Sequence, residues 1–473
     1  MEILKKLPEI IQGGMGIAVS NWTLAKTVSQ QGQLGVVSGT AIDNVFTRRL
    51  ELGDLDGSVR RALSHFPWQD MVQGFLDKYF IEGGKDEKAR FKPNPMPSIN
   101  LTKTVSERMI LSNFVEVFLA KEGHDGLVGV NYLEKIQLPT LPSCLGAMLA
   151  GVDFILMGAG IPLAIPGVLD GISKWEEVEL KISVEDNPDR HDYVQKFDPK
   201  AFCGDEKIPL TRPQFLAIIS SDIVAKSMER KASGYVDGYI VENHTAGGHN
   251  APPRKVGPEG VPQSFGPKDE PNLKKIKDLG KPFWIAGGFA SEQGLKYAKN
   301  EGATGIQAGT AFAYCNESGI IPSIKEKVIA KCLDGTLNVY TDFKASPTGY
   351  PFKVIEMEET LTDPKTYEER QRVCDLGYLR QIYSKDEEKA GYRCSAEPIA
   401  NYIKSGGTEA GTLDKQCLCN GLMATIGLGQ IRKDGNAEPP IITSGEDFSS
   451  VENLVKKHNG PYSAKNAIDY ILG

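Results

Sequence analysis

Residues 281–310 read KPFWIAGGFASEQGLKYAKNEGATGIQAGT, and the order of residue types in this stretch decides the fold. Two apolar runs, Pro282–Gly287 and Gly305–Gly309, end in glycine, and each is followed by residues able to start a helix. Neither run alternates apolar with polar residues, so both read as strands buried on two faces, as in a parallel sheet. Six more runs of the same kind precede them: Glu9–Gly13, Leu34–Gly39, Leu127–Asn131, Phe154–Gly158, Phe215–Ser220 and Gly238–Asn243. Helical patterns lie between the runs. The clearest is Ser106–Glu122, with Ile110, Phe114, Val117 and Phe118 on one stripe and Gly123 just past the end. Eight buried strands alternating with helices predict an α/β chain folded as a TIM (β/α)8 barrel, with an open doubly wound sheet as the runner-up.

Working outward, the barrel accounts for residues 1–315. An insertion at about 40–126 follows the second strand. It holds helical patterns at Asp56–Phe66 and Gln69–Phe80 and a proline-containing loop at Arg90–Asn100, and it reads as a helical lid or interface. Residues 316–473 form a C-terminal extension with the loop-like segment ASPTGYPFK (345–353), a cysteine-rich segment, and terminal helices near Phe448–His458 and from Ala464. The apolar stretch Leu145–Leu169 carries one charge, Asp153, but is broken by Gly and Pro, so it reads as a buried helix, strand and loop. With no apolar leader in MEILKKLPEIIQ, the expectation is a cytoplasmic protein without a membrane partner.

The 54 basic and 61 acidic side chains sum to −7, which argues against a nucleic-acid partner. Glycine supplies 50 of 473 residues, above the usual share of about 7%. Many of these glycines close the apolar runs, where backbone must turn sharply or approach a ligand. Eight cysteines without a secretion signal should be reduced thiols or metal ligands.

Gly14-Met-Gly16 and Gly158-Ala-Gly160 lack the third glycine of a dinucleotide fingerprint, and no P-loop pattern occurs. The turns at Gly287-Gly288 and Gly309-Thr310 end the last two strands of eight, where barrels commonly bind a phosphate through backbone N–H groups. Glu242-Asn-His-Thr-Ala-Gly-Gly-His249 follows the sixth strand and holds two of the six histidines. His249, beside a glycine pair that lets backbone pass under a flat ring, suits proton transfer better than His244. Gln12 and Asn131 end their strands with amides that either bond a heterocycle or cap their own turns. Cys374, Cys394, Cys417 and Cys419 crowd into 46 residues. They suit Zn2+ or an iron–sulfur cluster, with buried thiols or a redox pair as the alternatives.

Taken together, IIQGGMG (10–16), GQLGVVSG (32–39), GVNY (129–132), AGGH (246–249), IAGGFA (285–290) and GIQAGT (305–310) resemble the nitronate monooxygenase family. Its members, also called 2-nitropropane dioxygenases, are FMN-dependent TIM-barrel enzymes related to the FMN-type enoyl-acyl-carrier-protein reductases. The resemblance implies FMN against Gly14, Met15 and Gly16, with Asn131 on the flavin or its phosphate and Gly247 near the ring. It implies that Gly287, Gly288, Gln307, Ala308, Gly309 and Thr310 hold the phosphate, and that His249 is the catalytic base. Glu242 stands where the nitronate enzymes usually carry Gln and the enoyl reductases carry Glu. The expected activity is oxidation of alkyl nitronates or nitroalkanes by O2 to a carbonyl compound and nitrite. The alternatives are an NAD(P)H-dependent FMN reductase acting on an enoyl thioester or quinone, and a flavin and metal electron-relay protein. The partner is a small-molecule substrate, and assembly into a homo-oligomer stays open.

Overall fold

Strands without polar alternation need apolar cover on both faces, and the computed structural model supplies it by closing the sheet on itself. It describes residues 7–188, 191–203, 208–255, 264–386 and 389–473. Eight parallel strands form the barrel: β1 (Ile10–Gln12), β2 (Leu34–Ser38), β3 (Val128–Leu133), β4 (Phe154–Gly158), β5 (Gln214–Ile219), β6 (Gly238–Glu242), β7 (Phe283–Ala286) and β8 (Gly305–Ala308). β1 pairs with β2 on one side and β8 on the other, Ile10 opposite Ile306, so the open sheet is excluded. Phe154 and Leu156 pack in the barrel interior with Val36, Leu216, Ile240 and Trp284, while Ile155 and Met157 pack into the larger outer core. That division of alternate residues between two dry compartments is why the strands read as continuous apolar runs. Trp284 donates its indole N–H to the Pro8 carbonyl at 2.9 Å.

The helix Lys103–Lys121, capped by Thr102, packs between the helices Trp22–Gln30 and Thr140–Leu149 and belongs to the barrel's own ring. The excess after β2 is therefore shorter than the gap between runs suggests. It comprises the helices Ile42–Glu51, Ser58–Ser64 and Gln69–Tyr79 and the loop that follows. Asp43 of this segment pairs with Arg108 at 2.8 Å, both fully buried. A buried ion pair costs less when its other hydrogen-bonding sites are filled, and here Arg108 Nη1 is left without a partner among the described residues while other sites are met. Tyr378 donates its hydroxyl to Asp43, and Arg108 donates also to the Pro95 carbonyl at 2.8 Å. Tyr378 belongs to the C-terminal extension, which is further tied to the same segment where the Gln430 amide makes two bonds to the Phe91 backbone, at 2.8 and 3.1 Å.

The last helix, Ala464–Leu472, returns to pack against the helices Trp22–Gln30 and Glu292–Asn300, the slot of the ring's eighth helix. Tyr462 just before it donates to the Ala311 carbonyl at 2.7 Å. Among the described residues three antiparallel strand pairs lie outside the barrel: Val178–Lys181 with Val194–Phe197, Val339–Asp342 with Phe352–Ile355, and Gln381–Asp386 with Lys389–Arg393. The sequence offers no signal for them, because most of these strands are only four or five residues long and their pairing is tertiary. The Leu145–Leu169 stretch divides among the helix Thr140–Leu149, β4 and the helix Ile165–Ser173. Among the described residues no helix is long and apolar enough to cross a membrane.

Candidate active site

At the C-terminal ends of the strands, two confluent cavities of about 940 Å³ each, open mouths included, share Gly14, Gly16, Glu242, Gly247, Gly248, Gln307 and Thr443 as walls. The first runs over the turns after β7 and β8, past Met15, Gly287, Gly288, Ala308, Gly309 and Thr310, to Ser444, Asp447 and Ser450. The second runs past Asn131 and His249 into an apolar end formed by Leu133, Ile136, Ile218, Leu379, Leu418 and Leu422. The predicted site residues thus come together on one continuous surface. Asn131 and His249 line the second cavity, the phosphate-turn residues the first.

The first cavity fits a phosphate-bearing cofactor. Gly288 has φ +75°, a conformation that favours glycine, and a Cβ at Gly309 would meet nothing nearer than Met15 Sδ at 3.6 Å, so both turns open toward the cavity. Gln307 Oε1 and Ser450 Oγ are buried and have no hydrogen-bond partner among the described residues, and both residues line this cavity. Ser450 lies in the first turn of the helix Ser449–His458, whose N-terminus contributes partial positive charge. Not every glycine serves the cavity directly. A Cβ at Gly14 would strike Asn131, and one at Gly247 would lie 2.7 Å from the Ser444 backbone.

The loop carrying His249 is held by the extension. Lys353 donates its backbone N–H to the Gly248 carbonyl at 2.9 Å, and Asn250 donates its own to Pro351 at 3.0 Å. His249 Nε2 lies 2.8 Å from the hydroxyl of Ser346, which is fully buried, and the ring meets Phe352 edge-on at 4.7 Å. Burial, and after it the charge of Lys135, hold the imidazole well below the usual histidine range, so it is neutral near pH 7. Lys135 lies over the Tyr350 ring at 4.3 Å, and burial lowers its own value to about 7. Burial raises Glu242, the last residue of β6, to about 7. A neutral base therefore lines the same cavity as a carboxyl held well above the usual carboxylate range.

His244 has no part in this arrangement. Its ring stacks on Phe265 at 4.9 Å, its Nδ1 faces Glu270 at 3.2 Å, and it lines neither cavity. Gln12 is also structural: its amide donates to Ser20 Oγ at 2.8 Å and accepts from the Val36 N–H at 3.1 Å. Sequence reasoning missed Ser346, Thr443, Ser444 and Ser450. The ASPTGYPFK segment was the single visible signal, read only as a loop. The expectation of Zn2+ or an iron–sulfur cluster on Cys374, Cys394, Cys417 and Cys419 has no support: among the described residues no group of three or more His, Cys, Asp or Glu could hold a metal ion.

Residues 208–425, a little under half of the chain, match the nitronate monooxygenase family. The match begins just before β5 and takes in His249 and the turns after β7 and β8. It bears out the resemblance in the motifs and the reading of the chain as an FMN-dependent oxidoreductase. A (3aS,4S,5R,7aS)-5-hydroxy-7a-methyl-1-oxo-octahydro-1H-indene-4-carboxyl-CoA dehydrogenase of Mycobacterium tuberculosis is 28% identical over 141 residues, 30% of this chain. The matched stretch spans only 36% of that protein's length. Among solved structures, FabK from Thermotoga maritima aligns over 99% of this chain and 93% of its own, at 16% identity and a TM-score of 0.46. Nitroalkane oxidase from Streptomyces ansochromogenes aligns over 98% and 94%, at 13% identity and a TM-score of 0.45. The enoyl reductase domain of MlnA from Bacillus amyloliquefaciens aligns over 98% and 93%, at 10% identity and a TM-score of 0.47.

Proposed function

We propose that the protein oxidises alkyl nitronates, and nitroalkanes after deprotonation, with O2 to a carbonyl compound and nitrite, using FMN held in the first cavity. One observation carries this reading: a buried, neutral imidazole, His249, lines an apolar cavity confluent with a glycine-walled, phosphate-compatible one. Gly287, Gly288, Gly309 and Thr310 would hold the phosphate through backbone N–H groups, with Gln307 and Ser450 as further partners. Bound FMN would supply the electron-transfer chemistry with oxygen. The chain's own part is to bind, orient and move a proton. His249 accepts a proton from the carbon bearing the nitro group, and its neutral state keeps it ready to do so at pH 7. The Ser346 hydroxyl fixes the ring's orientation while the proton moves. Leu133, Ile136, Leu418 and Leu422 take up the alkyl part of the substrate and exclude water.

A second reading, an NAD(P)H-dependent FMN reductase of an enoyl thioester, is favoured by Glu242 and by the apolar residues that line the end of the second cavity. Anaerobic stopped-flow mixing separates the two. Flavin bleaching by ethylnitronate but not by NAD(P)H supports the first reading, whereas bleaching by NAD(P)H, reversed by an enoyl thioester, replaces it with the second.

A further inference from the structure

Two side-chain oxygens flank the turn at Gly287-Gly288. A Cβ at Gly288 would lie 3.6 Å from Thr245 Oγ1 and 3.8 Å from Asp447 Oδ2, and both residues line the first cavity. Thr245 donates its hydroxyl hydrogen to Asn243 Oδ1 at 2.6 Å, and the same oxygen accepts the Thr245 backbone N–H at 3.0 Å. With its one hydrogen spent, the Thr245 hydroxyl offers the cavity only acceptor lone pairs. Asp447 Oδ1 accepts from the Ser449 N–H at 2.9 Å, while Oδ2 has no hydrogen-bond partner among the described residues. The extension's backbone fixes this arrangement. Glu446 donates its N–H to the Thr245 carbonyl at 3.1 Å, and Gly445 donates its own to Thr310 Oγ1 at 3.2 Å. Asp447 follows directly and is held against the turn.

A phosphate dianion brings acceptors and negative charge, so it can satisfy neither oxygen and is repelled by the carboxylate. The donors must come from another part of the ligand. We propose that Asp447 and Thr245 bind the hydroxyls of the cofactor's sugar-alcohol chain, the ribityl segment that joins the phosphate of FMN to its ring. Phosphate then takes the backbone N–H groups of the turns, and the hydroxyls take the two acceptors. Carboxylates serve ribose hydroxyls in dinucleotide sites for the same reason: an ionised carboxyl accepts hydrogen bonds and donates none. Thr245 comes from the loop after β6 and Asp447 from the extension, so the two parts of the chain would grip the sugar-alcohol from opposite sides. The inference rests on the reading that FMN occupies the first cavity.

The test uses the full chain freed of flavin and titrated by fluorescence with three ligands. FMN carries hydroxyls and phosphate, riboflavin carries hydroxyls alone, and lumiflavin carries neither. Asp447→Ala should weaken riboflavin and FMN by at least about tenfold, the scale of a hydrogen bond to a charged group, and leave lumiflavin within about twofold. Asp447→Asn, which keeps a carbonyl acceptor, should lose less. Equal loss for lumiflavin would overturn the inference, as would unchanged riboflavin affinity or a gain for FMN, which would make Asp447 a neighbour of the phosphate. A wild-type chain that binds FMN while Asp447→Ala changes nothing removes this inference alone. A wild-type chain that binds no FMN removes the cofactor reading and this inference with it. Should Asp447→Ala fail to fold, the unmodified chain still decides: deoxyribityl analogues of riboflavin must bind at least about fivefold more weakly than riboflavin itself.

Discussion

The turns after β7 and β8 and the loop that carries His249 face the same pair of cavities, yet they are built in different ways. The turns are local. Gly287, Gly288, Gly309 and Thr310 take their places from strands a few residues away, and the extension touches them at Thr310, whose hydroxyl accepts from the Gly445 N–H at 3.2 Å. The His249 loop is held from outside, by Lys353 and Pro351 on its backbone and by Ser346 on its ring, all from the extension about a hundred residues later. The difference teaches that the glycine turns are an inheritance of the barrel, whereas placement of the base and enclosure of the substrate belong to the extension, which adds Ser444 and Ser450 to the wall of the first cavity. Damage to the extension should therefore impair proton transfer before it impairs cofactor retention.

The largest expected effect falls on the base. His249→Asn should lower turnover of neutral nitroethane by roughly 10²–10⁴-fold while sparing preformed ethylnitronate, read as the ratio of the two rates. Equal loss on both substrates would make the histidine structural and erase the contrast between the regions. On the barrel side, Gly309→Ala adds a methyl that meets only Met15 at ordinary contact distance, so the folded chain accepts it. Its melting temperature should hold while FMN affinity drops at least about tenfold, equal to about 1.4 kcal/mol, by fluorescence titration. Unchanged affinity would remove the phosphate from this turn.

Glu242 sharpens the comparison through pH. Its folded value is raised to about 7, so the carboxyl is neutral below that pH and ionised above it. A carboxylate there repels an anionic nitronate, so nitronate turnover should fall by about fivefold between pH 7 and 8. Glu242→Gln should flatten that limb, and a limb that persists in the variant belongs to another group. His249, held well below its usual range, adds no limb until the pH is below the ordinary histidine value. The smallest effect is expected at Ser346→Ala, which deletes one buried hydrogen bond to His249. A loss of about 0.5–1.5 kcal/mol corresponds to roughly two- to tenfold in kcat for nitroethane. KM and bound flavin should not move, and a rise in KM alone would show that Ser346 shapes the pocket and does not orient the base.

What could be read from residues alone follows the same divide. All eight barrel strands were legible within a residue or two, because a strand covered on both faces leaves an unbroken apolar run whatever packs against it. The glycine turns and His249 were legible because they adjoin those runs. The sequence by itself thus determined the barrel and the glycine-rich rim, while the seam between Ile10 and Ile306 came from the structure. Only the tertiary structure decided that the last helix fills the ring's eighth slot, that Ser346 meets His249, and that four cysteines from three segments surround one cavity. Such pairings join residues far apart in the chain through single side-chain contacts that carry no periodicity. Local patterns record which surfaces must be buried, and not which distant surface will bury them.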